Sequence, residues 1–391
     1  MAGDKKYIVL QNNYSLSYDD DKCYENEIEI EFDPKSDAKA HALKMKKEFY
    51  NSIFKKSYRN LVVLTAAGTS LDNGKNKGKT RLELWNFCKA EIDEFKAIIM
   101  DIENKTFYKE NDIEGLLSYI ILCEKLDDSK KADIILKKTK LEEKIKVACS
   151  LELDKSTAPH INFLDKITAR KSNDPRIQLF TTNYDTLFEQ AAIDGGFVII
   201  DGFSFTQPRK FSGRYFDYDI VNREKTRIKQ EESFVSKVFH LYKLHGSINW
   251  EKDADKGIIQ KDFADNPLII YPAADKYESS YEQPYFEMMS RFQQALRQDN
   301  ILLIVVGFGF QDKHIQNVVI EAVSQNPSFQ LVIANYNTMD SIDVDTLKEF
   351  FEDIPSKKVK RKITIIFDKF KDFTDNYPEN QIYSKDVNES I

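Results

Sequence analysis

The pattern of apolar and polar positions divides most of the chain into short apolar runs and longer stretches of helical period. The runs carry valine, isoleucine, leucine and phenylalanine with little alternation, which is typical of strands buried on both faces. They are residues 61–64, 176–180, 196–203, 240–244, 266–272, 300–308, 329–335 and 361–367. Stretches of helical period lie between several of them, at residues 185–193, 281–298 and 312–325. This alternation predicts an α/β fold with a Rossmann-like, doubly wound and mostly parallel sheet.

The first 58 residues predict a short β/α extension ahead of this sheet. Strands are expected at KKYIVLQ and at NEIEIEF, where Ile28 and Ile30 share one face. A basic amphipathic helix follows over residues 35–58, with Asp37 as its N-cap. The residues expected on its buried face are Ala42, Leu43, Met45, Phe49 and Ile53.

A long helical segment interrupts the predicted sheet after the run at residues 61–64. From about residue 82 to residue 166 the sequence is charged, poor in glycine and mostly helical in period. We therefore expect a helical insertion between two strands of the sheet. The predicted organisation is an extension over residues 1–58, a core over residues 59–340 that contains the insertion, and a C-terminal strand and tail over residues 341–391.

Composition and charge narrow the class of protein. The 391 residues are 41% hydrophobic and 31% charged, and no apolar run approaches the roughly 20 residues that a membrane-spanning helix needs. The N-terminus lacks the apolar segment and cleavage site of a signal peptide, so we expect a cytoplasmic protein. The net charge of −7 argues against direct nucleic-acid binding. The four cysteines form no C-x-x-C pair, so we expect reduced thiols and no zinc site.

Small or polar residues follow five of the predicted strands. They occupy residues 65–70, 181–185, 245–250, 307–312 and 335. In an open α/β sheet ligands bind beyond the carboxyl ends of the strands, so these segments together predict a nucleotide-sized site. Glycine and backbone amides near a helix N-terminus can hold a phosphate, and a histidine can act as a general base near neutral pH. An asparagine can orient water or a sugar hydroxyl without carrying charge.

Four motifs, in this order, resemble the sirtuin-like domain of bacterial antiphage defence proteins. They are AAGTS, TTNYD, KLHGSINW and GFGFQDKHI, each at a predicted strand end, and they extend over roughly residues 60–335. The resemblance implies a Rossmann-type core that takes NAD as its substrate and breaks the bond between nicotinamide and ribose. It also implies a homo-oligomer and, for a stand-alone chain of this size, a HerA-type ATPase as partner.

The resemblance assigns roles to individual residues. It implies that Asn183 and His245 are catalytic, and that Asp185 belongs to the same catalytic loop as Asn183. In the implied reaction His245 takes a proton from a ribose hydroxyl, Asn183 positions ribose or water, and the glycosidic bond breaks through an oxocarbenium-like state. Contacts with NAD are implied for Ala67, Gly68, Thr69, Ser70, Thr182, Gly307, Phe308 and Asn335.

The sequence departs from the family's pattern around the first turn. Ala66 stands where the turn usually begins with glycine, and its Cβ narrows the approach to the pyrophosphate. The Asp-Phe-Arg that follows this turn in protein-deacylating sirtuins is missing, and so is the cysteine quartet of their zinc module. Arg81 is available to face the phosphates, although nothing in the sequence assigns it that role. The absence of the Asp-Phe-Arg segment and the absence of the zinc module both favour NAD hydrolysis over protein deacylation.

Structural explanations compete with the functional ones. The TTNYD stretch also fits an ordinary strand-to-helix turn capped by Thr182 or Asp185, and His245 also fits a structural histidine. The segment GKNKGKT resembles a phosphate-binding P-loop, but Asn73 stands where that pattern needs glycine, so we do not expect an ATPase.

The function predicted from the sequence is an NAD hydrolase that releases nicotinamide and ADP-ribose and depletes NAD in antiviral, abortive-infection defence. One alternative is a non-catalytic sensor or scaffold that binds NAD or ADP-ribose. A pure binding protein needs no general base, so the presence of both Asn183 and His245 disfavours it. The other alternative is an NAD-dependent protein deacylase.

Overall fold

One large sheet runs through the part of the chain that the structure describes. The computed structural model describes residues 5–11, 14–33, 37–92, 95, 98, 111–126, 131–171, 173–222, 235–255, 257–269, 283–336 and 362–379. The strands are β1 (Lys6–Gln11), β2 (Tyr14–Tyr18), β3 (Cys23–Glu25), β4 (Ile28–Ile30), β5 (Asn60–Thr65), β6 (Ile177–Thr181), β7 (Val198–Ile200), β8 (Arg209–Lys210), β9 (Val238–Lys243), β10 (Gly246–Ser247), β11 (Trp250–Lys252), β12 (Ile258–Gln260), β13 (Leu268–Ile269), β14 (Ile301–Val306), β15 (Phe329–Ala334) and β16 (Ile363–Ile366). The helices are α1 (Ala38–Phe54), α2 (Ala67–Leu71), α3 (Arg81–Glu91), α4 (Ile113–Leu126), α5 (Lys131–Cys149), α6 (His160–Thr168), α7 (Leu187–Gly195), α8 (Tyr285–Leu296), α9 (Lys313–Gln325) and α10 (Phe370–Asn376).

Among the described residues the large sheet has 11 strands, in the order β4-β3-β2-β1-β16-β15-β14-β5-β6-β9-β7. The strands from β16 to β7 in this order run parallel to one another, whereas β1 pairs antiparallel with β16 and leads into an antiparallel meander. Helices pack on both faces, so the Rossmann-like α/β fold predicted from the alternation of runs is confirmed.

The order in which strands are added to the sheet reverses at its centre, between the neighbouring parallel strands β5 and β14. From β5 the chain continues to β6 on one side, and from β14 it continues to β15 on the other. The gap between the carboxyl ends of β5 and β14 is therefore the topological switch point, where doubly wound folds bind their ligands.

The carboxyl ends of the central strands lie in one line across the sheet. Paired Cα positions connect neighbouring strands without a shift at this edge. The residues of this line are Ile366, Ala334, Val306, Thr65, Thr181 and Lys243. The polar segments that the sequence places after these strands consequently leave the sheet at the same edge, as predicted.

One apolar run does not join the sheet. Residues 266–272 are predicted to be another buried strand, but Leu268–Ile269 forms β13, whose one partner among the described strands is β10, in a two-stranded ribbon. The prediction of a sheet strand is wrong because an apolar run does not specify its partner. Residues 270–272 lie outside the described residues, as does most of the tyrosine-rich segment that follows.

The helices of the insertion have a hydrophobic core of their own. Trp85 and Cys88 of α3 pack with residues of α4 and α5, and Tyr184, from the loop after β6, packs against this cluster. The insertion thus touches the loop that carries Asn183. None of the helices in the described ranges is both long and apolar enough to cross a membrane.

Helix α1 has the predicted N-cap, and four of the five residues expected on its buried face, Ala42, Met45, Phe49 and Ile53, are buried or partly buried. The side chain of Asp37 accepts a hydrogen bond from the Ala40 amide at 2.5 Å, which makes it the N-cap. Leu43, expected in the core, is 43% exposed, so that prediction is wrong. Lys46 and Tyr50 are buried in its place. These two polar side chains have a common buried partner.

That partner is the carboxylate of Asp368, two residues past β16. Lys46 Nζ lies 2.5 Å from one carboxylate oxygen and also donates to the Phe367 carbonyl at 3.1 Å. The Tyr50 hydroxyl donates to the other carboxylate oxygen at 2.6 Å. Burial raises the pKa of Asp368, although the charge of Lys46 acts in the opposite direction. The triad ties the N-terminal helix to the end of the sheet.

Candidate functional site

The side chain of Asn183 holds the turn that follows β5. Its Nδ2 lies 3.1 Å from the Ala66 carbonyl oxygen, 3.1 Å from Thr69 Oγ1 and 2.9 Å from Ser70 Oγ. Within the described residues no donor reaches its Oδ1. Because the nitrogen is engaged with the turn, the oxygen is the atom that remains to accept a hydrogen bond from a ligand hydroxyl or from water.

Asp185 connects the same turn to the helix after β6. One carboxylate oxygen accepts a hydrogen bond from Ser70 Oγ at 2.6 Å, and the other accepts from the Leu187 amide at 3.1 Å. Burial raises its pKa, while Lys243 and the hydrogen bond from Ser70 oppose that shift. Both oxygens therefore bond within the protein, which favours a role in holding the loop over direct contact with NAD.

The buried side chain of Lys243, the last residue of β9, binds the loop that contains Asp185. Its Nζ donates to the Asp185 carbonyl and lies 2.8 Å from Glu189 Oε1 on α7. The side chain is only 2% exposed, so its charge serves the fold. From the sequence alone, Lys243 is predicted only to lie in a strand.

At the switch point two glycines bring the loops after β5 and β14 into backbone contact. The Gly68 amide donates to the Gly307 carbonyl at 3.1 Å, and a Cβ on Gly68 would lie 2.5 Å from Gly307 Cα. Gly307 has φ +68°, a conformation that glycine adopts readily. The Thr69 amide donates to the Ala66 carbonyl at 2.9 Å. The amides of Gly68 and Thr69 thus already have acceptors inside the protein.

We predict that Gly307→Ala lowers the free energy of unfolding more than Gly196→Ala does, although both substitutions put alanine at a positive φ. An added Cβ would lie 2.6 Å from Gly68 Cα and 2.8 Å from the Thr69 nitrogen, in addition to the cost of a left-handed alanine, about 1–2 kcal/mol. Gly196 is the matched control, since its φ is +69° and a Cβ there meets no atom within 4 Å. Urea unfolding of both variants measures the difference. Equal losses would show that the backbone contact at the switch point contributes nothing.

His245 stands two residues past β9 and is held by a carboxylate from another loop. Its Nε2 lies 2.9 Å from Asp312 Oδ2, and the two side chains are 10% and 8% exposed. Asp312 Oδ1 also caps α9, accepting from the amides of His314 at 2.9 Å and Ile315 at 3.3 Å. Burial alone raises the pKa of Asp312, but His245 and the two amides more than offset this, so the pKa lies below its usual value.

The loops that carry Asn183 and His245 are hydrogen-bonded to each other. The Tyr184 carbonyl accepts from the Ile248 amide at 3.0 Å and from Ser247 Oγ at 3.3 Å. The rings of Tyr184 and His245 lie with their centroids 6.4 Å apart. The two residues predicted to be catalytic are therefore brought together by neighbouring, in-register strands.

The other residues predicted to contact NAD lie along the same edge. Ala67 is exposed at the start of α2. Thr182, Phe308 and Asn335 are partly buried where the chain leaves β6, β14 and β15. Their positions agree with a ligand that lies across the strand ends.

Arg81, the cation that the sequence offers for the phosphates, is engaged between two loops. Its guanidinium lies 2.6 Å from Asp112 Oδ1 at the start of α4 and also contacts the side chain of Gln311. It therefore links the insertion to the loop after β14. In the described ranges no group of three or more histidine, cysteine, aspartate or glutamate side chains could hold a metal ion.

The pairing of Asp312 with His245 is one feature of the site that the sequence does not predict. The sequence identifies Asp312 only as the start of a helix. Its partner is 67 residues away, and the loop after β14 must pass the ends of β5 and β6 to reach it. No local pattern signals such a contact.

The fold is that of Rossmann-like α/β proteins, a class in which ligands usually bind at the switch point of the sheet. Residues 178–352 match the SIR2-like domain family. The matched segment begins in β6 and contains Asn183, His245 and Asp312, whereas the turn after β5 precedes it. The match supports a Sir2-type domain in this segment and indicates an NAD-related activity. No curated protein matches the chain.

Proposed function

We propose that the protein hydrolyses NAD at the nicotinamide–ribose bond and releases nicotinamide and ADP-ribose. The observation that carries this proposal is the placement of Asn183 and His245 at equivalent positions past paired strands. Each offers one polar atom, Asn183 Oδ1 and His245 Nδ1, that no residue in the described part of the chain engages by a hydrogen bond. An uncharged acceptor and an oriented imidazole suit the hydroxyl groups of a ribose.

In the proposed reaction the bond between ribose C1′ and the nicotinamide nitrogen breaks. Its electron pair moves to the nicotinamide ring, which leaves as a neutral base and generates an oxocarbenium-like sugar. His245 accepts a proton from a ribose hydroxyl, and Asn183 Oδ1 accepts a hydrogen bond from ribose or from the attacking water. Water adds to C1′ and the proton that it loses passes to solvent, while His245 returns its proton to the ribose oxygen, so NAD and water give nicotinamide, ADP-ribose and a proton.

The residues fit the ribose end of NAD better than its diphosphate. The amides of Gly68 and Thr69 already donate to carbonyl groups of the protein. We therefore place the diphosphate beside this turn and the exposed Ala67, without hydrogen bonds from those two amides. Arg81, held by Asp112, is the candidate cation on the side of the loop after β14.

On the sequence resemblance alone, we extend the proposal to antiviral defence in the cytoplasm. The enzyme would form a homo-oligomer, associate with a HerA-type ATPase and deplete NAD in infected cells. Abortive infection would follow from the loss of this cofactor.

The direct test is nicotinamide release from NAD, followed by chromatography, with the purified protein alone and with a co-expressed HerA-type ATPase. We expect release that depends on the protein in at least one of these states. NAD that stays intact in both states, including when it binds, would contradict the hydrolase.

A non-catalytic NAD or ADP-ribose sensor is the second candidate, because the Asn183 nitrogen and both Asp185 oxygens serve the fold. Calorimetric binding of NAD without nicotinamide release would favour it. A deacylase would consume NAD only when an acylated peptide is added.

A further inference from the structure

The carboxylate of Asp312 has two different tasks, one for each oxygen. Oδ1 accepts hydrogen bonds from the first amides of α9, and Oδ2 faces His245 Nε2 at 2.9 Å. An ionised carboxylate can only accept hydrogen bonds, so the nitrogen that faces it carries a hydrogen. The contact thus determines where the hydrogen of a neutral His245 ring resides.

The other ring nitrogen of His245 is then the basic one. With the hydrogen on Nε2, the lone pair is on Nδ1. Within the described part of the chain, Nδ1 makes no hydrogen bond. The proton acceptor of the site is consequently a particular atom rather than the ring as a whole.

We propose that Asp312 is the positioning residue for His245, holding the hydrogen on Nε2 so that Nδ1 takes the proton from the ribose hydroxyl. This inference rests on the proposed function for the identity of the substrate. The orientation of the ring by Asp312 is a property of the protein itself.

Asp312→Asn separates this task from helix capping. Asparagine caps helices about as well as aspartate, and the cap requires its oxygen to face the amides of His314 and Ile315. The amide nitrogen must then face His245 Nε2 and donate to it. This donor requires a lone pair on Nε2 and moves the ring hydrogen to Nδ1, so the base is lost while α9 keeps its cap.

The kinetic test compares Asp312→Asn with the wild-type protein in NAD cleavage. We expect kcat to fall about 10²- to 10⁴-fold with KM and melting temperature nearly unchanged, the loss usual when a positioned general base no longer acts. Asp37→Asn is the matched control, since it makes the same change at the N-cap of α1 and should leave kcat unchanged. In a His245→Ala background, Asp312→Asn should cost nothing further, because residues that act as a unit are not additive. A full additional loss, or a rise in KM alone, would refute the positioning role.

A second measurement does not depend on turnover. The chain has five histidines, and ¹⁵N-labelled histidine reports which ring nitrogen carries hydrogen, with His245→Ala identifying the signal. We expect the Nε2–H form in the wild-type protein and the Nδ1–H form in Asp312→Asn. An Nδ1–H form in the wild-type protein would overturn the inference. If the expected spectra occur in a protein that leaves NAD intact, the hydrolase fails while the orientation by Asp312 stands.

Discussion

His245→Ala should lower kcat for NAD cleavage by about 10²- to 10⁴-fold, the contribution usual for a positioned general base. The imidazole is held by Asp312 at 2.9 Å and packs near Tyr184, so its removal deletes an oriented proton acceptor without breaking a backbone contact. We expect KM and the fold to change little, because within the described residues the ring forms a hydrogen bond only with a side chain. The measurement is the steady-state rate of nicotinamide release, with circular dichroism to establish folding.

His41→Ala is the matched control for this experiment. His41 lies on α1 and stacks on Phe32, so it belongs to neither of the loops that carry Asn183 and His245. Asn183→Ala provides a useful contrast, since it removes three hydrogen-bond contacts with the turn after β5 and should lower both turnover and stability. Cleavage at the wild-type rate in both His245→Ala and Asn183→Ala would exclude these residues from catalysis.

Lys46→Met should cost about 3–5 kcal/mol of unfolding free energy, the usual penalty for removing one member of a buried ion pair. Methionine fills a similar volume, so the main effect is that the Asp368 carboxylate stays buried without its cation. Lys46 and Asp368 have side chains only 3% and 7% exposed, and little water can replace the lost partner. Urea unfolding at neutral pH measures the loss.

Lys44→Met is the control for this second experiment, because Lys44 is exposed on the same helix. Its replacement should stay within about 0.5 kcal/mol of wild type. The double variant Lys46→Met with Asp368→Asn should be more stable than Lys46→Met alone, since no uncompensated charge is left buried. If Lys46→Met costs no more than Lys44→Met, the buried pair does not support the fold.

The strands of the central sheet could be predicted because burial on both faces leaves a local mark, an unbroken apolar run. The partner of a strand leaves no such mark. Residues 266–272 have the composition of a sheet strand, yet β13 pairs with β10 outside the sheet. Pairing of β1 with β16, from the two ends of the chain, also cannot be predicted from either segment alone.

The buried face of α1 shows a second limit of sequence reasoning. Lysine at position 46 reads as a surface residue, because lysine is almost never fully buried unless it is paired. The pair is formed with Asp368, which is 322 residues away. The burial of Lys46 depends on that distant partner.

The candidate site also has features that could be predicted from the sequence and features that could not. Asn183 and His245 could be selected because each follows an apolar run with a residue type suited to the chemistry. The contacts of Ser70 with Asp185 and of His245 with Asp312 could not, because they join loops from different strands. Candidate residues for a site can be proposed from local patterns, whereas the hydrogen bonds that orient them depend on the assembled sheet.

Because β5 pairs with β14, the site can form only after the segment that contains β14 has been synthesised. Asn60 lies opposite Ile301 and Thr65 opposite Val306, so the switch point joins segments that the ribosome produces far apart in time. The contact of Gly68 with Gly307 and the contact of His245 with Asp312 both await residues beyond position 306. A nascent chain that ends before them lacks one wall of the site and the carboxylate that orients the base. If the protein destroys NAD, the cell is spared that activity until synthesis of the chain is well advanced.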